Sequence, residues 1–292
     1  MRRVVQGLLN KACPENVATI LEKIAALGVR ETGHLEILVE LIFKKALAEP
    51  HYCETYADLV FGLQVTLPAF AREGEAGPSL TLRTALLGVC QREFEGLLAD
   101  LEAKDAEVHD LEELEHLRKQ RRERLRANVR LIGHLFLRKL LATKVVGRLA
   151  LELTNCNAED QPPEEHAVES ACELLLSVGY TLELHPAGAE VLECVCARMQ
   201  RLKDRKAEPE GKKGLYCKRV QFAIQDLLET RAAGWSKRSF KSAAKTKQEI
   251  REQQARDEWL AKTPHGAPSP GVEQVVVGQR PAYLSGGILA GG

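Results

Sequence analysis

Helix-forming segments recur in pairs along nearly the whole chain, each pair broken at a proline or glycine corner. That recurrence restricts the fold more than any single motif. Arg3–Asn10 is followed by a break at Ala12-Cys13-Pro14 and by a second segment, Pro14–Leu27, with Pro suited to a first helical position and Gly28 to a stop. Gly33–Glu49 and Pro50–Leu67 make a second pair, and Leu80–Ala106 with Glu115–Leu141 a third. Thr143–Thr154 with Glu164–Leu184, and Pro186–Leu202 with Leu215–Ala232, complete the series. Second segments begin near 14, 50, 115, 164 and 215, steps that fit an α-solenoid once inserts such as Ala71–Ser79 are allowed for. Aromatic content of 5% and an abundance of Leu and Ala favour helices over sheets. The expected fold is all-α, a solenoid of about five helical hairpins. It fills residues 1–260, ends in a charged helix over Ala243–Ala261, and is followed by a disordered Gly/Pro-rich tail, 261–292.

The formal net charge of zero is a cancellation. Residues 93–115 are acidic apart from Lys104, and residues 116–148 are basic apart from Glu123. No apolar run reaches membrane-spanning length. The eight cysteines form no C-x-x-C pair, and most fall on apolar helical stripes, where a free thiol packs as a small hydrophobe. No phosphate loop, dinucleotide glycine motif, His-Glu-x-x-His or Gly-x-Ser-x-Gly occurs. The sequence therefore gives no argument for an enzyme, a cofactor or a metal site.

Lys218–Arg238, KRVQFAIQDLLETRAAGWSKR, is the densest local signal. Val220, Ala223, Ile224, Leu227 and Leu228 line one helical face. Phe222 falls off that stripe, which predicts a helix buried between two layers. Asp226 lies among the apolar positions between Arg219 and Arg231, so an internal ion-pair network is expected. Trp235, after a Gly, is expected either to cap the last hairpin or to act as a binding hot spot.

This segment resembles the signature of the middle domain of eukaryotic translation initiation factor 4 gamma. The family pattern Arg-x-Arg-Phe-x-x-x-Asp, an Arg, then Trp-x-Pro-Arg reads here as Arg219, Gln221, Phe222, Asp226, Arg231, Trp235 and Arg238. Leu9-Asn10-Lys11-x-x-Pro14-Glu15 and Lys45-Ala46-Leu47-x-Glu49-Pro50-x-Tyr52 are similar to two further family motifs. Gln91-x-Glu93-Phe94-Glu95 and Leu131-Ile132-Gly133-x-Leu135 follow in the family's order. The resemblance covers roughly residues 2–260. Gln221 in place of the second Arg, and Ser236-Lys237 in place of Val-Pro, depart from it.

The resemblance implies five hairpins of the HEAT type and a cytoplasmic, non-catalytic scaffold that holds a DEAD-box RNA helicase, initiation factor 4A. The helicase-binding residues it implies are Asn10, Lys11, Pro14, Glu15, Glu49, Pro50, Tyr52, Arg219, Phe222, Asp226, Arg231 and Trp235. Messenger RNA is the second expected partner. Arg121, Arg122 and Arg124 on the basic helix, and Lys237, Arg238, Lys241 and Lys245 beyond the last hairpin, are its candidate contacts through phosphate charge alone. Initiation factor 3 is a further family partner. The cap-binding factor 4E motif Tyr-x-x-x-x-Leu-Φ has only a near match, Tyr283 to Ile288-Leu289, in which Gly286-Gly287 disfavours the helix that binding needs. Two alternatives keep the fold: a middle-domain protein of mRNA decay, splicing or poly(A)-linked control, and an RNA-binding solenoid without a helicase.

Overall fold

The computed structural model describes residues 1–70, 80–103, 111–158, 160–205, 214–240 and 272–285. Ten helices pair into five hairpins: α1 (Arg2–Leu9) with α2 (Val17–Ala25), α3 (Thr32–Ala48) with α4 (Cys53–Thr66), α5 (Leu82–Ala103) with α6 (Leu111–Leu137), α7 (Thr143–Leu153) with α8 (Glu165–Glu183), and α9 (Pro186–Asp204) with α10 (Lys218–Ala232). The paired segments read from the sequence are these hairpins, with ends displaced by a few residues. Pro14 precedes α2 rather than opening it, whereas Pro50 does begin a 3-10 turn, Pro50–Tyr52, that leads into α4.

Successive hairpins stack in two layers. The even-numbered helices pack in the order α2, α4, α6, α8, α10, while α1, α3 and α5, and then α7 and α9, form the other layer. A single apolar core runs through all five hairpins from Val5 to Trp235. Within α6, Leu125, Val129, Ile132 and Phe136 repeat every three or four residues and are buried, and the helix touches α3, α4, α5 and α8. Membership of two neighbouring hairpins explains why its buried surface is broader than a single stripe.

The even layer is also tied by charge. Arg138, the residue after α6, is 1% exposed and grips Asp58 of α4 with two hydrogen bonds, Nε to Oδ1 at 2.6 Å and Nη2 to Oδ2 at 2.9 Å, with Glu54 at 3.3 Å. Arg126 and Arg130 on α6 reach Glu173 on α8, and Arg219 on α10 reaches Glu169 on α8. The basic helix predicted from the sequence is thus compensated by carboxylates of the helices beside it, including Glu93 of α5, which takes Arg124 at 2.5 Å.

Residues 272–285, placed in a disordered tail, form strand β2 (Val272–Val276), a turn at Gly278 and a short helix α11 (Ala282–Ser285). Strand β2 pairs antiparallel with β1 (Ser236–Phe240), so a two-stranded ribbon is added to the helical solenoid. The charged helix expected over Ala243–Ala261, and the rest of the tail, lie outside the described residues. Among the described residues no helix is long and apolar enough to cross a membrane.

Candidate partner-binding edge

Because each hairpin leaves on an odd helix and returns on an even one, its internal connection lies on one edge of the solenoid. The connections at 10–16, 49–52 and 214–217 carry three of the sequence motifs to that edge.

In the first connection Asn10, Lys11, Pro14 and Glu15 are all exposed. Their turn is held by a residue that the motif did not flag: Asn16 accepts from the Cys13 N–H at 2.9 Å and donates from Nδ2 to the Lys11 carbonyl at 2.7 Å. Its own backbone N–H, and then Cys13, hold the Glu15 carboxyl below the usual carboxylate range. Beside it, Arg2, Lys44 and Lys45 line a shallow basic groove between α1 and α3 that opens next to Asn10.

The second connection is organised by Glu49. Lys45 Nζ donates to its Oε1 at 2.6 Å and the Tyr56 hydroxyl to its Oε2 at 2.7 Å. Burial works against the charge, but these two bonds outweigh it, and Glu49 is held below its ordinary pKa. Tyr56 is fully buried and its hydroxyl also lies 3.5 Å from the Leu9 carbonyl, which links the first two corners. Pro50 is half-buried, and Tyr52 turns outward at 39% exposure.

The third connection is pinned to hairpin four. The Tyr216 hydroxyl donates to the Pro163 carbonyl at 2.7 Å, and the Cys217 N–H donates to Glu165 at 2.8 Å. From this anchor α10 presents Arg219, Phe222 and Asp226 on its outer face, next to a groove lined by Arg126, Glu169, Glu173 and Ala223. Phe222 is 70% exposed, which corrects the expectation of burial between two layers. The buried stripe of α10 is Val220, Ile224, Leu227 and Thr230, narrow enough for a last hairpin packed on α8 and α9 alone. Asp226 is likewise on the surface, not near the core.

Arg231 and Trp235 belong to the interior instead. Arg231 pairs with Glu183 of α8 at 3.0 Å and Glu193 of α9 at 3.1 Å, so these two carboxylates, where the sequence pointed to Asp226, are its ion-pair partners. Trp235 is 1% exposed and its indole N–H donates to the other oxygen of Glu183 at 2.5 Å. It caps the last hairpin, and as a surface hot spot the assignment is withdrawn: no face of the indole reaches solvent. Glu183, on which both residues converge, was not singled out in the sequence, and no spacing rule would have found it. Of the candidate RNA contacts, Arg124 is paired with Glu93, and Arg122 is exposed. Lys237 and Arg238 lie on β1, while Lys241 and Lys245 fall outside the described residues.

This arrangement offers exposed polar and aromatic groups at separate points along one edge, with hydrogen bonds holding each connection in place. Among the described residues no cluster of His, Cys, Asp and Glu could hold a metal ion.

The known proteins agree with the fold. The MIF4G domain profile matches residues 2–233. A eukaryotic translation initiation factor 4G of Arabidopsis thaliana is 29% identical over 267 residues, 88% of this chain but 14% of that protein. Eukaryotic translation initiation factor 4 gamma 3 of Mus musculus is 28% identical over 263 residues, 85% of this chain and 16% of that protein. The chain thus spans under a fifth of the length of these two relatives. A solved MIF4G domain, from the Trypanosoma cruzi translation initiation factor EIF4G5, superposes with a TM-score of 0.52 over 80% of this chain and 96% of that one, at 23% identity. With its profile match running from the first hairpin through the last, the chain belongs to the MIF4G domain family.

Proposed function

We propose that this chain is a scaffold of translation initiation that holds a DEAD-box RNA helicase, initiation factor 4A, along the edge formed by its hairpin connections. The observation that supports this reading most is the exposure of Phe222. An aromatic left 70% in water on a helix with a complete core stripe is a binding group without a structural task. Lys11, Glu15 and Tyr52 supply contacts at the far end of the same edge, so one rigid body meets the helicase at two separated points. A scaffold of this kind favours one arrangement of the two helicase lobes only as far as it binds that arrangement more tightly. The helicase performs the ATP chemistry. Arg231 and Trp235 hold the other end of α10 against α8 and α9, through Glu183.

RNA is the second proposed partner, in the cytoplasm, and the basic run after Trp235 is its better surface. Arg124, Arg126 and Arg130 already face Glu93 and Glu173, which leaves less of their charge for phosphates. Lys237, Arg238, Lys241 and Lys245 are the proposed contacts.

The test is the RNA-dependent ATPase of the initiation helicase near physiological salt, with and without the chain. Saturable stimulation that falls about tenfold with Lys11→Glu or Phe222→Ala is expected, a loss on the scale of one interface hot spot. Stimulation unchanged in both variants, or none by the native chain, would sink the proposal and favour the helicase-free RNA-binding solenoid.

A further inference from the structure

The segment 272–285 crosses the even layer from the C-terminal ends of α10, α8 and α6, at the edge opposite the candidate partner-binding edge, to the middle of α4. Strand β2 pairs with β1 from Ser236 opposite Val276 to Phe240 opposite Val272, and the Val277 N–H then donates to the Trp235 carbonyl at 2.8 Å. The Gly278 carbonyl accepts from both the backbone N–H of Thr181, at 3.2 Å, and its hydroxyl, at 2.7 Å. Position 278 needs glycine twice over: φ is +76°, and a Cβ would stand 3.1 Å from the Gly179 nitrogen. Arg280 Nη1 donates to the carbonyls of Phe136 and Leu137, each at 2.8 Å, where the last turn of α6 presents its negative dipole end. Its guanidinium carbon sits 5.2 Å from the Phe136 ring centroid. Tyr283 donates its hydroxyl to Asp58 and sets its ring 6.1 Å from that of Phe61 on α4.

These contacts have the character of recognition. The segment adds little to the apolar core: among its described side chains Val276 and Val277 are partly buried against it, while Tyr283 is 55% exposed. Each polar contact reads one position of the segment, and the receiving groups are fixed independently of it. Asp58 is held by the buried Arg138, the α6 carbonyls by their helix, and Thr181 by the packing of α8. A surface that is finished, rigid and chemically specific for one extended strand is a peptide site.

We infer that this edge is a peptide-binding groove, for which residues 272–285 are the intramolecular ligand. A partner protein's segment that follows a β-strand with the pattern Gly-x-Arg-x-x-Tyr is the ligand that exchanges with it. The strand supplies backbone pairing to β1, the glycine fits against α8, the arginine caps α6, and the tyrosine reaches α4. A tethered ligand meets its site at an effective concentration on the order of millimolar, so a free peptide competes poorly with the native segment. Vacating the site is therefore the way to reveal it.

The experiment uses the full chain carrying Arg280→Ala with Tyr283→Ala, both outside the core, and a fluorescent peptide of native sequence 272–285. Anisotropy is expected to show one peptide bound per variant chain, and at least about tenfold weaker binding to the native chain, whose groove is filled. A peptide with the same two alanines is expected to bind the variant at least about tenfold more weakly than the native peptide, as the loss of charge-assisted hydrogen bonds requires. Thr181→Val in the vacated chain should weaken the native peptide again, with circular dichroism unchanged. Equal binding to native and vacated chains, binding to neither, or indifference to the arginine and tyrosine would overturn the inference. So would sedimentation showing native chains paired by exchanging their segments, which would assign the groove to a second copy.

Discussion

Gly179 of α8 lies directly beneath the indole of Trp235: a Cβ at position 179 would stand 2.0 Å from Cη2 of the ring. The tryptophan itself holds a left-handed backbone conformation, φ 61°, which is costly for a bulky side chain. Three interactions keep it there. Its N–H bonds to the Thr230 carbonyl at 2.8 Å, its indole N–H to Glu183, and its ring fills the space that Gly179 leaves. Gly179→Ala is therefore expected to displace the indole and destabilise the fold by about 1–3 kcal/mol, the range for overpacking a core. A lower Cm in urea with an unchanged m-value, together with a red shift of tryptophan emission, would register this. An unshifted midpoint would mean that the ring moves aside at no cost.

Arg138 carries the second prediction. A guanidinium at 1% exposure is tolerable only because Asp58 and Glu54 answer it, and Asp58 remains about a third exposed. Arg138→Ala leaves a cavity in α6 and strands Asp58 beside an apolar wall. The expected loss is about 3 kcal/mol, at the low end for breaking a buried pair because Asp58 can recover water. Arg138→Lys should recover only part of it, since one ammonium cannot make both bonds. Urea midpoints of the two variants, measured at one pH, decide the matter; equal stability of native and lysine forms would remove the two-bond argument.

How much of this could be read from the residues depended on the range of the interaction. The hairpins were legible because helix faces and Pro/Gly corners are encoded locally, within about a turn on either side of Pro14, Pro50 or Gly28. Phe222 was misread because period alone cannot count neighbours. The same off-stripe apolar residue is buried in a middle hairpin such as the one holding α6, and bare in the last. Glu183 was missed since its partners, Arg231 on α10 and Trp235 just beyond it, are some fifty residues away in sequence. The segment at 272–285 was read as structureless for a related reason. Every group it touches, from Thr181 back to Asp58, is distant in sequence, and Gly/Pro-rich flanks hide a five-residue strand. The motif residues were found by likeness, and the packing divided them into exposed residues and internal ones.

The corner built on Glu49 and Tyr56 gives a pH dependence on both sides. Glu49 is held below its ordinary 4.5 in the folded chain, so its contribution is present above that value and is lost as pH falls through the lower folded value. Tyr56 is shifted the other way, first by burial and then by its bond to Glu49, far above its ordinary 10. Its contribution is full below 10 and is lost as pH rises beyond that, where the unfolded chain ionises and the folded one resists. The stability difference between the native chain and Tyr56→Phe should therefore be flat from about pH 6 to 9 and shrink at both extremes. Thermal midpoints measured from about pH 3 to about pH 11 check it. A difference that keeps its size at pH 3 would show that the Glu49 carboxylate is not the acceptor that matters.

Phe222 and Trp235, thirteen residues apart in one motif, differ in depth and so separate binding from support. Phe222 is solvated, so Phe222→Ala should leave the thermal midpoint within about a degree while removing most helicase stimulation, the mark of a contact residue. Trp235→Phe keeps the ring but deletes the N–H that reaches Glu183, leaving the carboxylate with Arg231 alone. That substitution is expected to cost about 1–3 kcal/mol of stability and to weaken helicase binding only in proportion to the unfolded fraction. Binding and melting measured on the same preparations, with temperature lowered until both variants are fully folded, distinguish the two. If Trp235→Phe still fails to bind while folded, the indole acts on the partner beyond its part in stability, and the division between contact and support does not hold.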